Sequence, residues 1–281
     1  FIMVGMGLKV AIFPLHLWLP NAYTYAPSAI TSFLAATATK VAIYVMLRFL
    51  FSVFQPGFLA EVPTLDLLLY PFAILAMFAA SYAAILQRDL KRMLAYSSIG
   101  QVGYMLLGVA LLSKSGLMAT MIHLFNHGIT KAALFMGVGV YVLNGGGSFY
   151  HNLRGRGKTM PWTSAAMVVA GLSLIGVPGT AGFLSKWLLV EATLEQGLWP
   201  IALLIVASSL LAVIYVWKLI ETLYLAQPAD GLQDQNVPLM MMIPLWVMAL
   251  ACIYFGFDTD ITLSAARSAA EGLLAGSAGM R

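Results

Sequence analysis

The segment "HLFNHGITKAALF" (His123 to Phe135) carries residues of the types and spacing needed for proton chemistry. His123, His127 and Lys131 recur at i, i+4 and i+8, so on a helix they line one face. An imidazole titrates near neutrality. An amine taken out of water is driven toward its neutral form, because desolvation penalises the charge. Three further lysines, Lys9, Lys40 and Lys186, stand in apolar surroundings. Bridged by one another or by water, such groups form a relay that passes protons and breaks no other bond. A carboxylate approaching or leaving one of the lysines would switch its hold on a proton.

Such a relay needs an apolar scaffold, and the composition supplies one. Of the 281 residues, 61% are hydrophobic and 9% charged, against roughly 25% charged in soluble domains. This is the composition of an all-α polytopic membrane protein. About eight transmembrane helices are expected: Phe1 to Leu17, Ser28 to Phe54, Leu65 to Leu86, Met93 to Leu112, Gly116 to Leu143, Pro161 to Glu195, Pro200 to Ala226 and Pro238 to Phe257. The sixth is too long for one straight crossing and contains "GVPGTAG". A simple proline kink and a discontinuous helix both fit, and a discontinuous helix is expected, with hinges at Gly176, Pro178, Gly179 and Gly182. The first segment is similar, with Lys9, then Pro14, then "LHLWLP". Two broken helices, each with a lysine near the break, suggest an internal repeat.

Depth separates relay lysines from ordinary ones. Lys40 lies thirteen residues after Pro27 and eight before Arg48, roughly 12–20 Å from either end. Lys131 lies thirteen before Asn144. Each lysine at mid-bilayer costs roughly 2.5–3.5 kcal/mol on insertion scales. A lysine near a helix end ordinarily reaches the headgroups, which accounts for Lys114 and Lys218 and is one account of Lys9. His123 and His127 could also hold zinc, but no third ligand stands at suitable spacing, and no metal or other cofactor is expected. Glu221, one turn after Lys218, is expected to pair with it.

The remaining features narrow the function. Cys252 is the only cysteine, so an internal disulfide and a self-contained iron–sulfur cluster are excluded. There is no phosphate loop or dinucleotide fingerprint, no catalytic set, and at +4 no charge that calls for nucleic acid. The loops "QRDLKR" and "NLRGRGK" put six basic residues on one side, against Arg48 and Lys114 on the other. The first side is therefore expected to be cytoplasmic, with the tail from Asp258 outside. The opening at Phe1, inside an apolar run, reads as the middle of a longer chain.

The motifs resemble a known family. "GLKVAIFPLHLWLPNAYTYAPSA" (Gly7 to Ala29), "LAATATKVAIYVMLR" (Leu34 to Arg48), "RDLKRMLAYSSIGQVGYMLLG" (Arg88 to Gly108), "HLFNHGITKAALF" and "GVPGTAGFLSKWLL" resemble the antiporter-like membrane subunits shared by respiratory complex I and the Mrp-type cation/proton antiporters. The resemblance implies a chain running from the seventh to the fourteenth transmembrane helix. Residues 1–54 would end a first repeat, 55–226 would form a complete five-helix inverted repeat, and 227–281 would hold the last helix and tail. It implies proton-path roles for Lys9, Lys40, His123, His127, Lys131 and Lys186, and a partner glutamate upstream of Phe1. It also implies a bacterial inner-membrane location, companion subunits, and protons with a monovalent cation such as sodium as cargo. Lys186 and "GRGKTMPWTSAA" look more like the D-type Mrp subunit, with a proton-pumping subunit of an NADH-quinone oxidoreductase as the alternative.

Overall fold

The structure is a computed structural model that describes residues 1–54, 64–145, 147–227 and 237–275, of which 64–67 by backbone alone. The described residues form helices and no sheet, with one isolated bridge between Asp89 and Phe149. The principal helices are α1 (Ile2–Val10), α2 (Trp18–Tyr25), α3 (Ser28–Arg48), α4 (Thr64–Leu86), α5 (Leu90–Ala110) and α6 (Lys114–Leu143). They continue with α7 (Tyr150–Leu153), α8 (Arg156–Thr159), α9 (Pro161–Ile175), α10 (Ala181–Glu195), α11 (Trp199–Ile220), α12 (Leu239–Phe257) and α13 (Asp260–Ala275). α3 and α11 each run on into one π-helical turn, Phe49–Val53 and Glu221–Leu225.

Local chemistry sets many of these ends. The Asp89 carboxylate accepts from the Arg92 amide and opens α5, and the Ser113 hydroxyl accepts from the Gly116 amide and opens α6. Pro161 stands at the start of α9, where a missing N–H costs no helical bond. Pro20 lies within the first turn of α2 for the same reason. A new short helix thus begins at Trp18, just past Leu17, where the first expected segment ends.

Among the described residues, five helices are long and apolar enough to cross a membrane: Ser28–Val53, Leu68–Leu86, Leu90–Ala110, Trp199–Leu225 and Leu239–Phe257. The expected eight exceed this number for physical reasons. α6 has the length, with 30 residues, but polar groups interrupt its middle. The first expected segment, Phe1 to Leu17, holds only the short α1, with α2 beginning just after it, and the sixth is split into α9 and α10. Breaks at Ala11, with φ 62°, and Gly176, with φ 90°, end α1 and α9 in left-handed conformation.

α5 and α6 form the buried centre, with α3, α4, α9, α10 and α12 packed around them. Small residues let backbones approach closely. A Cβ on Gly103 would fall 2.7 Å from the Ala73 carbonyl oxygen of α4, so α4 and α5 meet almost backbone to backbone. At one end the two basic loops are tied together: the Leu90 amide donates to the Ser148 carbonyl (2.7 Å) and the Tyr150 amide to the Arg88 carbonyl (3.1 Å). Helix C-termini at this end receive basic side chains. Lys91 donates to the Ala26 carbonyl after α2, Lys218 to Ile85 and Gln87 at the end of α4, and Arg156 to Asn144 after α6. Cations are favoured at the negative end of a helix dipole. The expected Lys218–Glu221 pair is replaced by these contacts, since two orphan carbonyls on α4 hold the ammonium in place of its own helix's carboxylate. The described part of the tail is α13, packed on α6, with a Lys114–Glu271 ion pair of 2.6 Å as the tie.

Candidate functional site

α6 carries the site. His123, Asn126, His127, Thr130 and Lys131 are all buried on it. The i, i+4 spacing stacks the two imidazoles, with ring centroids 6.1 Å apart and planes 9° apart. Lys131 is fully buried, and its Nζ donates to the Leu94 carbonyl (2.7 Å) and the Ser97 hydroxyl (2.6 Å) on α5. Lys40, also buried, donates to the Ala35 carbonyl of its own helix α3 (2.5 Å). Lys186 follows Ser185, whose hydroxyl lies 2.8 Å from His123 Nδ1, and Lys40 Cε lies 4.0 Å from where a Cβ on Gly128, next to His127, would sit. Five of the six expected path residues therefore form one buried neighbourhood.

The broken helix α9–α10 positions Lys186. Gly176 turns the chain out of α9, and the amides of Gly176 and Val177 both bond back to the Leu172 carbonyl. That arrangement leaves the carbonyls of Leu174 and Ile175 free, as the last turn of any helix does. Lys186, in the second turn of α10, reaches back across the break and donates to both, at 3.1 and 2.8 Å. A buried lysine is thus held at the negative end of a half-helix. Pro178 and Gly179, with φ 84°, lie in the turn itself. Gly182 does not bend the chain. It is helical, and its missing side chain makes room for the Ser173 carbonyl of α9. The Gly182 amide then finds the Ser173 hydroxyl (3.3 Å).

Lys9 is not brought to the others. It stands exposed in the last turn of α1, before its break near Pro14, whereas Lys186 stands after its break and folds back onto it. A buried ionisable residue at the first break is His16, stacked on Phe13 with centroids 5.1 Å apart.

Several polar groups that the sequence reading passed over complete the site. The Ser185 hydroxyl lies 2.8 Å from His123 Nδ1, and Asn126 donates to the Ala181 carbonyl (2.6 Å). The Thr130 hydroxyl lies 3.0 Å from that of Ser173. Ser97, Gln101 and Tyr104 follow one another at spacings of four and three on α5, the same one-face signature that revealed the histidines. Between α5, α6, α9 and α10 lies a cavity of about 10 Å³, lined by Gln101, His123, His127, Thr130, Ser173 and Ser185 among others. That is room for about one water. Both ring nitrogens of His127, His123 Nε2 and Asn126 Oδ1 are buried without a protein partner, and buried polar groups in that position bond ordered water. Among the described residues no three His, Cys, Asp or Glu side chains stand together in a way that could hold a metal.

A helical, apolar bundle with a broken helix and a buried row of amines and imidazoles defines a polytopic membrane protein with titratable groups in its core. The chain belongs to the transmembrane family described as NADH:quinone oxidoreductase/Mrp antiporter, which matches residues 1–212. It is 38% identical over 277 residues to NADH-quinone oxidoreductase subunit N of Desulforudis audaxviator (strain MP104C), covering 94% of this chain and 55% of that one. Its structure resembles a chain of the membrane-bound sulfane sulfur reductase, an archaeal respiratory membrane complex, with a TM-score of 0.89 and 31% identity over 99% of this chain and 56% of that one. A chain of the Mrp complex from Dietzia sp. DQ12-45-1b shares the fold, with a TM-score of 0.88 and 24% identity over 97% of this chain and 58% of that one. The chain spans about half the length of the curated relatives it matches.

Proposed function

We propose that the chain is part of a proton-translocating membrane subunit of a respiratory, NADH-quinone oxidoreductase-like complex. Protons would move through Lys131, Lys40, His127, His123 and Lys186 with intervening water. The observation that carries this reading is the buried neighbourhood itself: five ionisable groups from α3, α6 and α10, imidazole nitrogens without a protein partner, and a cavity sized for one water against the two histidines. Groups that are expensive to bury persist where they do work. Lys9, exposed here, joins the path in this proposal only through a neighbour beyond α1.

The two branches of the family share the relay motifs, so those motifs do not separate them, and the D-type Mrp expectation rests on Lys186 and "GRGKTMPWTSAA". The relatives named NADH-quinone oxidoreductase subunit N, similar over most of this chain, support the respiratory branch. The Mrp likeness at 24% identity is one of fold. Sodium exchange is accordingly the second reading. Moving one charge against 100 mV costs about 2.3 kcal/mol, so partner subunits must supply the driving energy.

In this proposal the chain crosses the membrane eight times. The five apolar helices are joined by α6, by the α1–α2 pair and by the α9–α10 pair. Residues 1–54 end one repeat, 55–226 form a second, inverted one, and 227–281 follow. The basic end faces the cytoplasm of a bacterial inner membrane. The test is Lys186→Met in the full-length chain, assembled with its partners in vesicles. Coupled proton movement should be lost while assembly persists, and near-normal movement would overturn the relay. Flavin and iron–sulfur subunits among the neighbouring genes would match the respiratory reading, and companion small antiporter subunits the other.

A further inference from the structure

We infer that Tyr104 is a positioning residue for Lys186, its ring face holding the ammonium beside His123. The inference rests on the relay reading and adds to it a group from α5 that the proton path itself does not include.

The phenol is fixed from three helices. Tyr104 is 3% exposed. Its hydroxyl donates to Ser208 Oγ (2.9 Å) and lies 3.2 Å from Ser209 Oγ, both on α11. Ser208 in turn donates to the Met77 carbonyl of α4 (3.4 Å). Held at its far end, the ring presents its face to the site. Lys186 Nζ stands 5.0 Å from its centroid, and the His123 ring is 5.7 Å away, tilted by 52°.

Lys186 has three N–H donors, of which two meet the carbonyls of Leu174 and Ile175. Among the described residues it forms no ion pair. With no carboxylate against it, the negative face of the Tyr104 ring is the remaining group that favours a cation there. Such a contact gains strength in a desolvated setting. A lysine stem has four flexible carbons, so two carbonyls on one side and a ring on the other confine an amine that would otherwise swing away from His123. The hydroxyls behind the ring do not continue a proton path. Beyond Ser208 and Ser209, α11 turns Val206, Leu210 and Val213 outward, so the line ends on an apolar surface. An anchor is the role that geometry leaves.

The test uses the full-length chain in its assembled complex, reconstituted in vesicles, with proton movement and electron transfer followed together. Losing a desolvated cation–π contact corresponds to roughly a tenfold or larger change in the population of the held ammonium. Tyr104→Phe keeps the ring and should stay within about twofold of wild type. Tyr104→Leu should lower proton movement roughly tenfold with assembly intact. If Leu prevents assembly, Tyr104→Met serves as the ring-free arm. Rescue by Phe is the readout that a mere packing role would not give. Wild-type proton movement in the ring-free variant, or equal loss in Phe and Leu, overturns the inference. Lys186→Met in parallel separates the two levels: if it pumps normally, the relay reading itself has failed.

Discussion

Lys131 and Lys186 meet the same difficulty, an amine far from water, with different partners. Lys131 uses a mid-helix carbonyl and the Ser97 hydroxyl of α5, and Lys186 uses the free carbonyls at a helix break. The contrast yields an ordering of variants. Replacing a buried charge by an apolar side chain of similar size is often neutral or stabilising, so Lys131→Met should melt at or above wild type yet lose proton movement. Ser97→Ala leaves a buried ammonium donor unmet and should cost about 1.5–3 kcal/mol. Thermal denaturation of the purified complex checks the order. If Lys131→Met melted far below Ser97→Ala, the lysine would be serving the fold and the relay argument would weaken. The histidine stripe was legible because i, i+4 spacing maps directly onto one helix face. The same pattern in Ser97, Gln101 and Tyr104 went unread because single hydroxyls and amides in an apolar run carry no charge to flag them.

Among the elements, the α9–α10 break does the most to build the site. Proline and glycine announced it, but whether the chain kinks or truly stops depends on whether the freed carbonyls find partners, and Lys186 supplies one. Gly182→Ala would place a methyl group against the Ser173 carbonyl. Overpacking of this kind costs about 1–3 kcal/mol, and here it would also pry Lys186 from its carbonyls. The variant should therefore lose both thermal stability and proton movement. Gly272→Ala, with nothing within 4 Å, is the matched control. Lying within the helix α13, it should gain up to about 1 kcal/mol. If the two glycine variants melted alike, close approach at the break would not be what Gly182 provides.

For the molecule as a whole, α13 closes the end opposite the basic loops, tied by Lys114 to Glu271. The hydrogen bond from Lys114, with its charge, holds the Glu271 carboxyl below its ordinary value near 4.5. A carboxyl depressed in the folded state contributes stability above its unfolded value, and that contribution fades as pH falls through the depressed one. Amide protection factors in α13, corrected for intrinsic exchange, should therefore fall on acidification below the ordinary carboxylate range and, because the pair is exposed, also at high salt. Glu271→Gln should exchange faster than wild type at neutral pH and lose that acid dependence. An α13 equally protected in both proteins at every pH would show that its apolar face alone docks it. At the same scale, proton movement should follow electron transfer in the partner subunits and persist without sodium. A strict sodium requirement in vesicles would restore the antiporter reading.

Composition and periodicity alone determined the membrane class, the positions of most helices and the buried stripe on α6, because apolar length and one-face spacing are local properties of the chain. Only the tertiary structure decided which lysines meet. Lys9 and Lys186 look alike in sequence, each beside a break, yet one points outward and the other folds back into the core. Their difference lies in what packs against each half-helix, and that depends on segments distant along the chain. The partners of Lys218, the carbonyls of α4 some 130 residues earlier, were beyond sequence reading for the same reason: local spacing proposes the nearest charge, and packing supplies a nearer carbonyl.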